Sequence, residues 1–325
     1  MAKDLPLSQA RCQYVAVSSA GPTAQLRRPP LTDALVLVVA IAGVSFSGPL
    51  MAATAAPALA IAFWRNAMGA GTALGLAGWR DRAGWRAVPR RGWLAAVAAG
   101  GALALHFATW VPSVTMTSVA SATALVSSQV IFSGLIARSQ GHRLPRLAWA
   151  GMLVAVISTA VITGADVDAS ARAVVGDLLA ITGGLAAALY MAAGSRARRA
   201  MTNSLYTATC YSVCALVLVV VCLVGGVKLR GYPGDAWLKL ALVTLCAQLL
   251  GHSLLNFVLR SISPTVVGLA ILCETPGAAL VAWVWLHQRP GAASLVGVLG
   301  LLAGLVLVSR AREPVPDEPV PELVD

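Results

Sequence analysis

Apolar runs of about 20 residues, the length a helix needs to cross a bilayer, recur along this chain between short hydrophilic gaps. A bilayer core offers no water to backbone N–H and C=O groups, so a spanning segment must be a helix or part of a closed barrel. Barrel strands would alternate apolar and polar residues. These runs of Ala, Val, Leu and Gly do not alternate, so the pattern predicts helices. Ten runs qualify: 32–50, 55–78, 92–111, 115–137, 146–164, 176–194, 204–225, 236–258, 265–287 and 291–309. The second carries Arg65 and the ninth carries Glu274. The predicted fold is an all-α polytopic membrane protein of ten transmembrane helices.

Composition agrees. Hydrophobic residues make up 58% of the 325 and charged residues 11%, where a soluble domain carries about 25% charged residues. Cationic residues set the orientation. Alternate gaps hold Lys3, Arg11, Arg27 and Arg28; Arg80, Arg82, Arg86, Arg90 and Arg91; Arg138, Arg143 and Arg146; Arg196, Arg198 and Arg199; Arg260; and Arg310 and Arg312. The opposite gaps hold only Arg172, Lys228, Arg230, Lys239 and Arg289. Both termini are therefore expected in the cytoplasm, with the chain multi-pass in the plasma (cytoplasmic) membrane. The formal charge of +11 is spread over separate loops of one face, which suits anionic lipid headgroups and not nucleic acid. Residues 1–31 read as a cytoplasmic N-terminal tail without a cleavable leader. Residues 311–325 read as a disordered, acidic, Pro-rich tail.

The halves resemble each other. His106 opens HFATWVPSVTMTSVASATALVSSQ and His252 opens HSLLNFVLRSISPTVVGLAILCE, an offset of 146 residues. Gln129 and Glu274 correspond at an offset of 145, one residue shorter. Each is followed by an apolar run, a short polar turn and a final small-residue helix. Residues 32–170 thus form a first repeat and 171–310 a second. Five helices per repeat is an odd number, so the second repeat enters the membrane from the opposite side. Such inverted repeats belong to alternating-access carriers, with the substrate site near the midplane.

Here the chain resembles a known family. The inverted five-helix repeats, Phe63-Trp64-Arg65 early in the second helix and Glu274-Thr275-Pro276 in the ninth look like the EamA branch of the drug/metabolite transporter superfamily. The resemblance covers about residues 32–310 and implies a small-molecule exporter without naming its substrate. Two features depart from the family pattern: Thr275 separates Glu274 from Pro276, and His142-Arg143 and His287-Gln288-Arg289 stand where an acidic residue commonly closes the turn. If the resemblance holds, Tyr211 is the repeat mate of Arg65.

Function should reside in the few polar groups inside the spans. Glu274 lies about ten residues into its run, where a charge costs on the order of 2.5–3.5 kcal/mol to insert. It reads as a substrate-amine ligand or protonation site, or as a structural acid bonded to Ser, Thr or Arg. Pro276 removes a backbone donor and should open or kink the helix beside it. Arg65 holds a substrate carboxylate, pairs with Glu274, or bonds backbone carbonyls. His106 and His252 are candidate proton relays or packing residues. Gln129 and Asn256 bond substrate or bridge helices, and Gln248, Asn66 and Tyr190 are secondary. Trp64 and Trp110, with Trp283 and Trp285, line a cavity or anchor the interface. The substrate-binding or coupling set is therefore Glu274, Arg65, Trp64, His106, Trp110, Gln129, Tyr211, His252 and Asn256. Gly71–Gly75 and Gly300–Gly304 allow close helix approach; the first suits packing within the chain, and the second, in the last helix, suits instead a face toward a second subunit of a homodimer.

Other chemistries find no support. There is no phosphate-binding Gly-x-x-x-x-Gly-Lys-Ser/Thr loop, no His-Glu-x-x-His, no Asp pair within a span and no metal-ligand spacing; Ile131-Phe-Ser-Gly134 lacks the first Gly of a serine-hydrolase motif. Cys12 lies in the tail, and Cys210, Cys214, Cys222, Cys246 and Cys273 lie in runs, where packing thiols are expected. No cofactor is implied. The reading is a secondary carrier exporting a small metabolite, amino-acid-like compound or drug, with proton coupling through Glu274 compatible with it. A nucleotide-sugar-type carrier of the same superfamily is the alternative, and an intramembrane enzyme a more distant one.

Overall fold

The computed structural model describes residues 30–117, 119–163, 170–287 and 291–311. The expectations for both tails and for the turn at Gln288-Arg289 lie outside them. Among the described residues every regular element is a helix. The first half contains α1 (Leu31–Ser45), α2 (Ser47–Ala52), α3 (Ala58–Arg80), α4 (Gly84–Ala87), α5 (Arg90–Met116), α6 (Val119–Val126), α7 (Gln129–Ser139) and α8 (Arg146–Thr163). The second contains α9 (Ala171–Arg198), α10 (Asn203–Val224), α11 (Gly234–Val243), a π-helical turn (Thr244–His252), α12 (Ser253–Val258), α13 (Pro264–Ile271), α14 (Glu274–Leu286) and α15 (Ala292–Arg310). The chain is an integral membrane protein.

Six described stretches have the length and apolarity of a membrane span: Leu31–Met51, Arg90–Ser113, Ala171–Arg198, Asn203–Val224, Gly234–Val258 and Pro264–Trp285. The other four predicted runs fall short for visible reasons. α3 carries Arg65 and Asn66, the fourth run divides into α6 and α7, and Arg146–Ile162 and Leu295–Arg310 are shorter apolar helices.

Helix starts follow local chemistry. The hydroxyls of Ser170, Thr202 and Ser263 accept the N–H groups of Ala173, Leu205 and Val266, satisfying donors that the first turns of α9, α10 and α13 leave over. Two breaks fall inside apolar runs, where no such signal exists. One separates α6 from α7 at Ser127–Ser128, and the other separates α13 from α14 at Leu272–Cys273. The second break lies upstream of Pro276. Pro276 has no N–H to offer the Leu272 carbonyl, which accepts from Thr275 instead. Gln129 and Glu274, the paired positions of the two halves, each become the first residue of the helix after a break.

α5 packs along α9, α3 along α10, α8 along α15, and α1 against the π-helical turn. A few polar side chains are buried within an apolar core, and the outer surface is apolar as well. Arg65, Asn66 and Gln248 are buried, whereas Leu31, Leu223 and Val224 and many other large apolar side chains face outward, as lipid-facing helices require. The glycine pairs behave opposite to expectation. A Cβ on Gly71 or Gly75 would meet nothing within 4 Å. Gly304 instead presses its backbone on Gly151: a Cβ on either would lie 2.7 Å from the carbonyl oxygen of the other. Gly300 packs on Ser158, so the Gly300–Gly304 pair is used within the chain, between α8 and α15.

Candidate functional site

A cavity of about 260 Å³ lies between the two halves. α2 contributes Ser47, α3 Arg65, α5 His106, Phe107 and Trp110, α7 Gln129, α9 Tyr190, the π-helical turn His252, and α14 Glu274. Six of the nine predicted residues therefore meet in one space: Glu274, Arg65, His106, Trp110, Gln129 and His252. Trp64 does not line it. Its Nε1 donates to the Leu229 carbonyl at 2.8 Å and its ring meets Trp237 edge-on, in a separate cluster with Leu50, Ile61 and Leu240. Tyr211 and Asn256 lie behind the cavity wall, both buried. Trp283 and Trp285 are about half exposed on the outer surface.

Arg65 is 2% exposed and held from three sides. Nε donates to Gln248 Oε1 at 2.9 Å, Nη1 donates to Ser47 Oγ at 3.2 Å, and the guanidinium lies 5.2 Å from the Phe107 ring centroid. These contacts fix the guanidinium without neutralising it; cation–π attraction adds support in a desolvated site. Nη2 has no hydrogen-bond partner. Arg65 and Glu274 line the same cavity without forming a salt bridge.

The network behind Arg65 is directional. Because Arg65 only donates, it fixes the Gln248 amide with its oxygen toward the guanidinium. Gln248 Nε2 then donates to Asn66 Oδ1 at 3.1 Å, and Asn66 Nδ2 donates to the Ala62 carbonyl at 2.8 Å. The π-helical turn bonds its backbone i to i+5, and the Gln248 carbonyl collects Ser253 Oγ at 3.0 Å and Tyr211 Oη at 3.4 Å. Asn256 Nδ2 donates to Tyr211 Oη at 3.3 Å and Asn256 Oδ1 accepts from Tyr190 Oη at 2.6 Å. The network joins α2, α3, α9, α10 and α12 behind one face of the cavity.

On α5, His106 and Trp110 are one turn apart and stack with planes 7° apart. His106 Nδ1 lies 2.9 Å from the Gly183 carbonyl. A carbonyl only accepts, so Nδ1 is the donor and Nε2 of the neutral ring is an acceptor. Trp110 Nε1 and His252 Nδ1 have no partner. Sequence reasoning missed Ser47 and Phe107. Nothing in the pattern marks Ser47, which reaches Arg65 only because a short helix follows α1.

Among curated proteins none matches this chain. A solved structure described only as "Crystal structure of protein" superposes with a TM-score of 0.72 at 17% identity, over 85% of this chain and 96% of that one. At that identity the likeness shows the fold alone. Residues 174–310 match the EamA-like transporter family. Over those residues the chain is similar to the EamA-like transporters, the family that its repeats and its Phe63-Trp64-Arg65 and Glu274-Thr275-Pro276 segments resemble.

Proposed function

We propose that this chain is a secondary carrier that exports a small solute, a metabolite, amino-acid-like compound or drug, across the plasma membrane by alternating access about the central cavity. The observation that carries this reading is the set of unused polar groups there. Arg65 Nη2, Trp110 Nε1 and His252 Nδ1 are buried without partners, and Glu274 shares their cavity. Buried polar atoms are almost always satisfied, and intramembrane charges face partners or pathways. A bound solute supplies the missing partners. α7 and α14 both begin at this cavity, and half-helix N-termini aimed at a midplane site are a carrier feature.

Helix pairing supports ten spans in two inverted repeats. At the 146-residue offset, α3 with α10 and α8 with α15 are self-corresponding pairs, and α5 with α9 corresponds to the π-helical turn with α1. A two-fold relation between halves produces this pattern. With the termini cytoplasmic, the lining residues Ser47, Arg65 and Trp110 sit toward the outer ends of their helices. The inner ends are tied by Arg198 Nε to the Asn256 carbonyl at 3.0 Å, Asn203 Nδ2 to the Ser253 carbonyl at 2.9 Å, and Ser204 to Asp81. Export then ends in an outward-open state of this kind. Glu274, without an ion-pair partner, is the group through which protons couple.

The test is an export and toxicity panel in cells stripped of their own exporters, comparing the native chain with Glu274→Gln at matched membrane levels. Amino acids, their toxic analogues and cationic dyes are the probes. Protection by the native chain and its loss in the variant are expected; equal protection by both removes Glu274 from the transport path. Cysteine labelling that places residues 80–91 outside would overturn the orientation.

A further inference from the structure

A second, smaller cavity of about 70 Å³ lies away from the central one, at the end of the bundle that carries the arginine-rich loops. It is bounded by the last turns of α7 and α9 and the first turn of α13, and its lining includes Ser133, His142, Ser195, Arg196, Arg199 and Thr265. Among the described residues, no acidic residue lines it. Its volume suits one small polyatomic ion, not the solute that the central cavity admits.

Two independent features point to an anion. The first is the start of α13. Pro264 has no N–H, Val266 N–H goes to Ser263 Oγ, and Val267 N–H goes to the Ser263 carbonyl. The remaining first-turn donor is Thr265 N–H, at the positive end of the helix dipole, with Thr265 itself in the lining. The second comes from α7. Ser133 is 3% exposed, lines the cavity, and its Oγ has no hydrogen-bond partner. A buried hydroxyl left without a partner calls for one. The exposed residues Arg196, in the last turn of α9, and Arg199, the residue that caps its end, supply the positive charge.

The geometry points to a binding site for a phosphate group, held by Arg196 and Arg199 from one side and by Ser133 Oγ and the α13 N-terminus from the other. The group belongs either to an anionic lipid headgroup reaching in from the adjacent leaflet or to free phosphate; basic pockets between helices at a membrane face hold such headgroups. The site is separate from the transport cavity and does not depend on which solute is carried.

The experiment uses the full chain, purified and delipidated in detergent. Retention of phosphatidylglycerol and of phosphatidylcholine is read by native mass spectrometry, and the melting temperature is read in inorganic phosphate against chloride at matched ionic strength. Selective retention of phosphatidylglycerol with no phosphate shift assigns the site to a lipid headgroup. A melting shift with inorganic phosphate assigns it to the free ion. In either case Arg196→Gln/Arg199→Gln lowers affinity on the order of tenfold or more, from two cations at their usual strength beside anionic headgroups. Ser133→Ala weakens binding, and Arg196→Lys/Arg199→Lys retains most of it, which excludes misfolding as the cause. Arg138→Gln/Arg143→Gln removes equal charge from the same face outside the cavity and leaves binding unchanged. Equal retention of both lipids with no phosphate shift overturns the site, and so does an equal loss in the Arg138/Arg143 control.

Discussion

Arg65 and Gln248 stand 183 residues apart in sequence, yet the guanidinium Nε donates to the amide Oε1 at 2.9 Å. One bond thus couples the second helical run of the first half to the π-helical turn of the second. Gln248→Leu removes the acceptor of a buried cation and the donor to Asn66 together. The expected loss is roughly 1.5–3 kcal/mol, as for a hydrogen bond to a charged group. Thermal unfolding in detergent reads it. An unchanged melting temperature would show that the network is ornamental to stability.

Tyr190 and Asn256 allow a cleaner measurement. Tyr190→Phe removes one donor at the end of the chain of bonds, whereas Asn256→Leu leaves both Tyr190 and Tyr211 hydroxyls without their amide partner. The second substitution should cost more. A double-mutant cycle should return a coupling of about 0.6 kcal/mol and not above about 1.7, the range for interhelical bonds within membranes. A coupling of zero would mean that the two side chains touch without interacting.

Glycine substitutions should separate the two pairs. Gly304→Ala places a Cβ against the Gly151 carbonyl, a backbone atom that cannot step aside, and overpacking of this kind costs about 1–3 kcal/mol. Gly71→Ala and Gly75→Ala meet open space and should be neutral or slightly stabilising, since Ala is the better helix former. Melting temperatures of the three variants at matched expression check the order.

Trp110→Phe should move stability and transport in opposite directions. The ring keeps its stacking partner in His106, but a buried donor without an acceptor is gone. The melting temperature should hold or rise, because the native state no longer carries that unsatisfied group. If the indole N–H binds solute, the transport KM rises with little change in maximal rate. A falling melting temperature with an unaltered KM would assign Trp110 to packing.

The sequence shows the frame of this molecule more clearly than its joints. Long apolar runs marked the helices because lipid imposes one continuous requirement on all of them. Arg65 and Glu274 drew attention as charges where charge is expensive, and both line the cavity. Trp64 lies off the cavity for a physical reason: a tryptophan next to a cavity-lining arginine points elsewhere on a helix, here to Leu229 and Trp237. The breaks at Ser127–Ser128 and Leu272–Cys273 lie in runs whose composition is uniform, so hydropathy passes over them. Ser47 and Phe107 acquire meaning only when tertiary packing brings Arg65 to them. The glycine pairs show the same limit, since spacing reveals that a close approach is available but not which face uses it.

The π-helical turn at Thr244–His252 has a consequence for how the cavity is addressed. Such a turn accommodates an extra residue in a helix that otherwise advances by about 100° per residue. Every side chain beyond it therefore emerges on an azimuth displaced from an uninterrupted α-helix. His252 reaches the cavity and Asn256 meets Tyr190 on those displaced bearings, which counting by 3.6 from Trp237 does not give. The bearings of His252 at the cavity and of Asn256 behind its wall are thus set by this stretch of backbone. Deleting a single residue between Thr244 and His252 would re-aim both side chains while leaving every lining residue in the sequence.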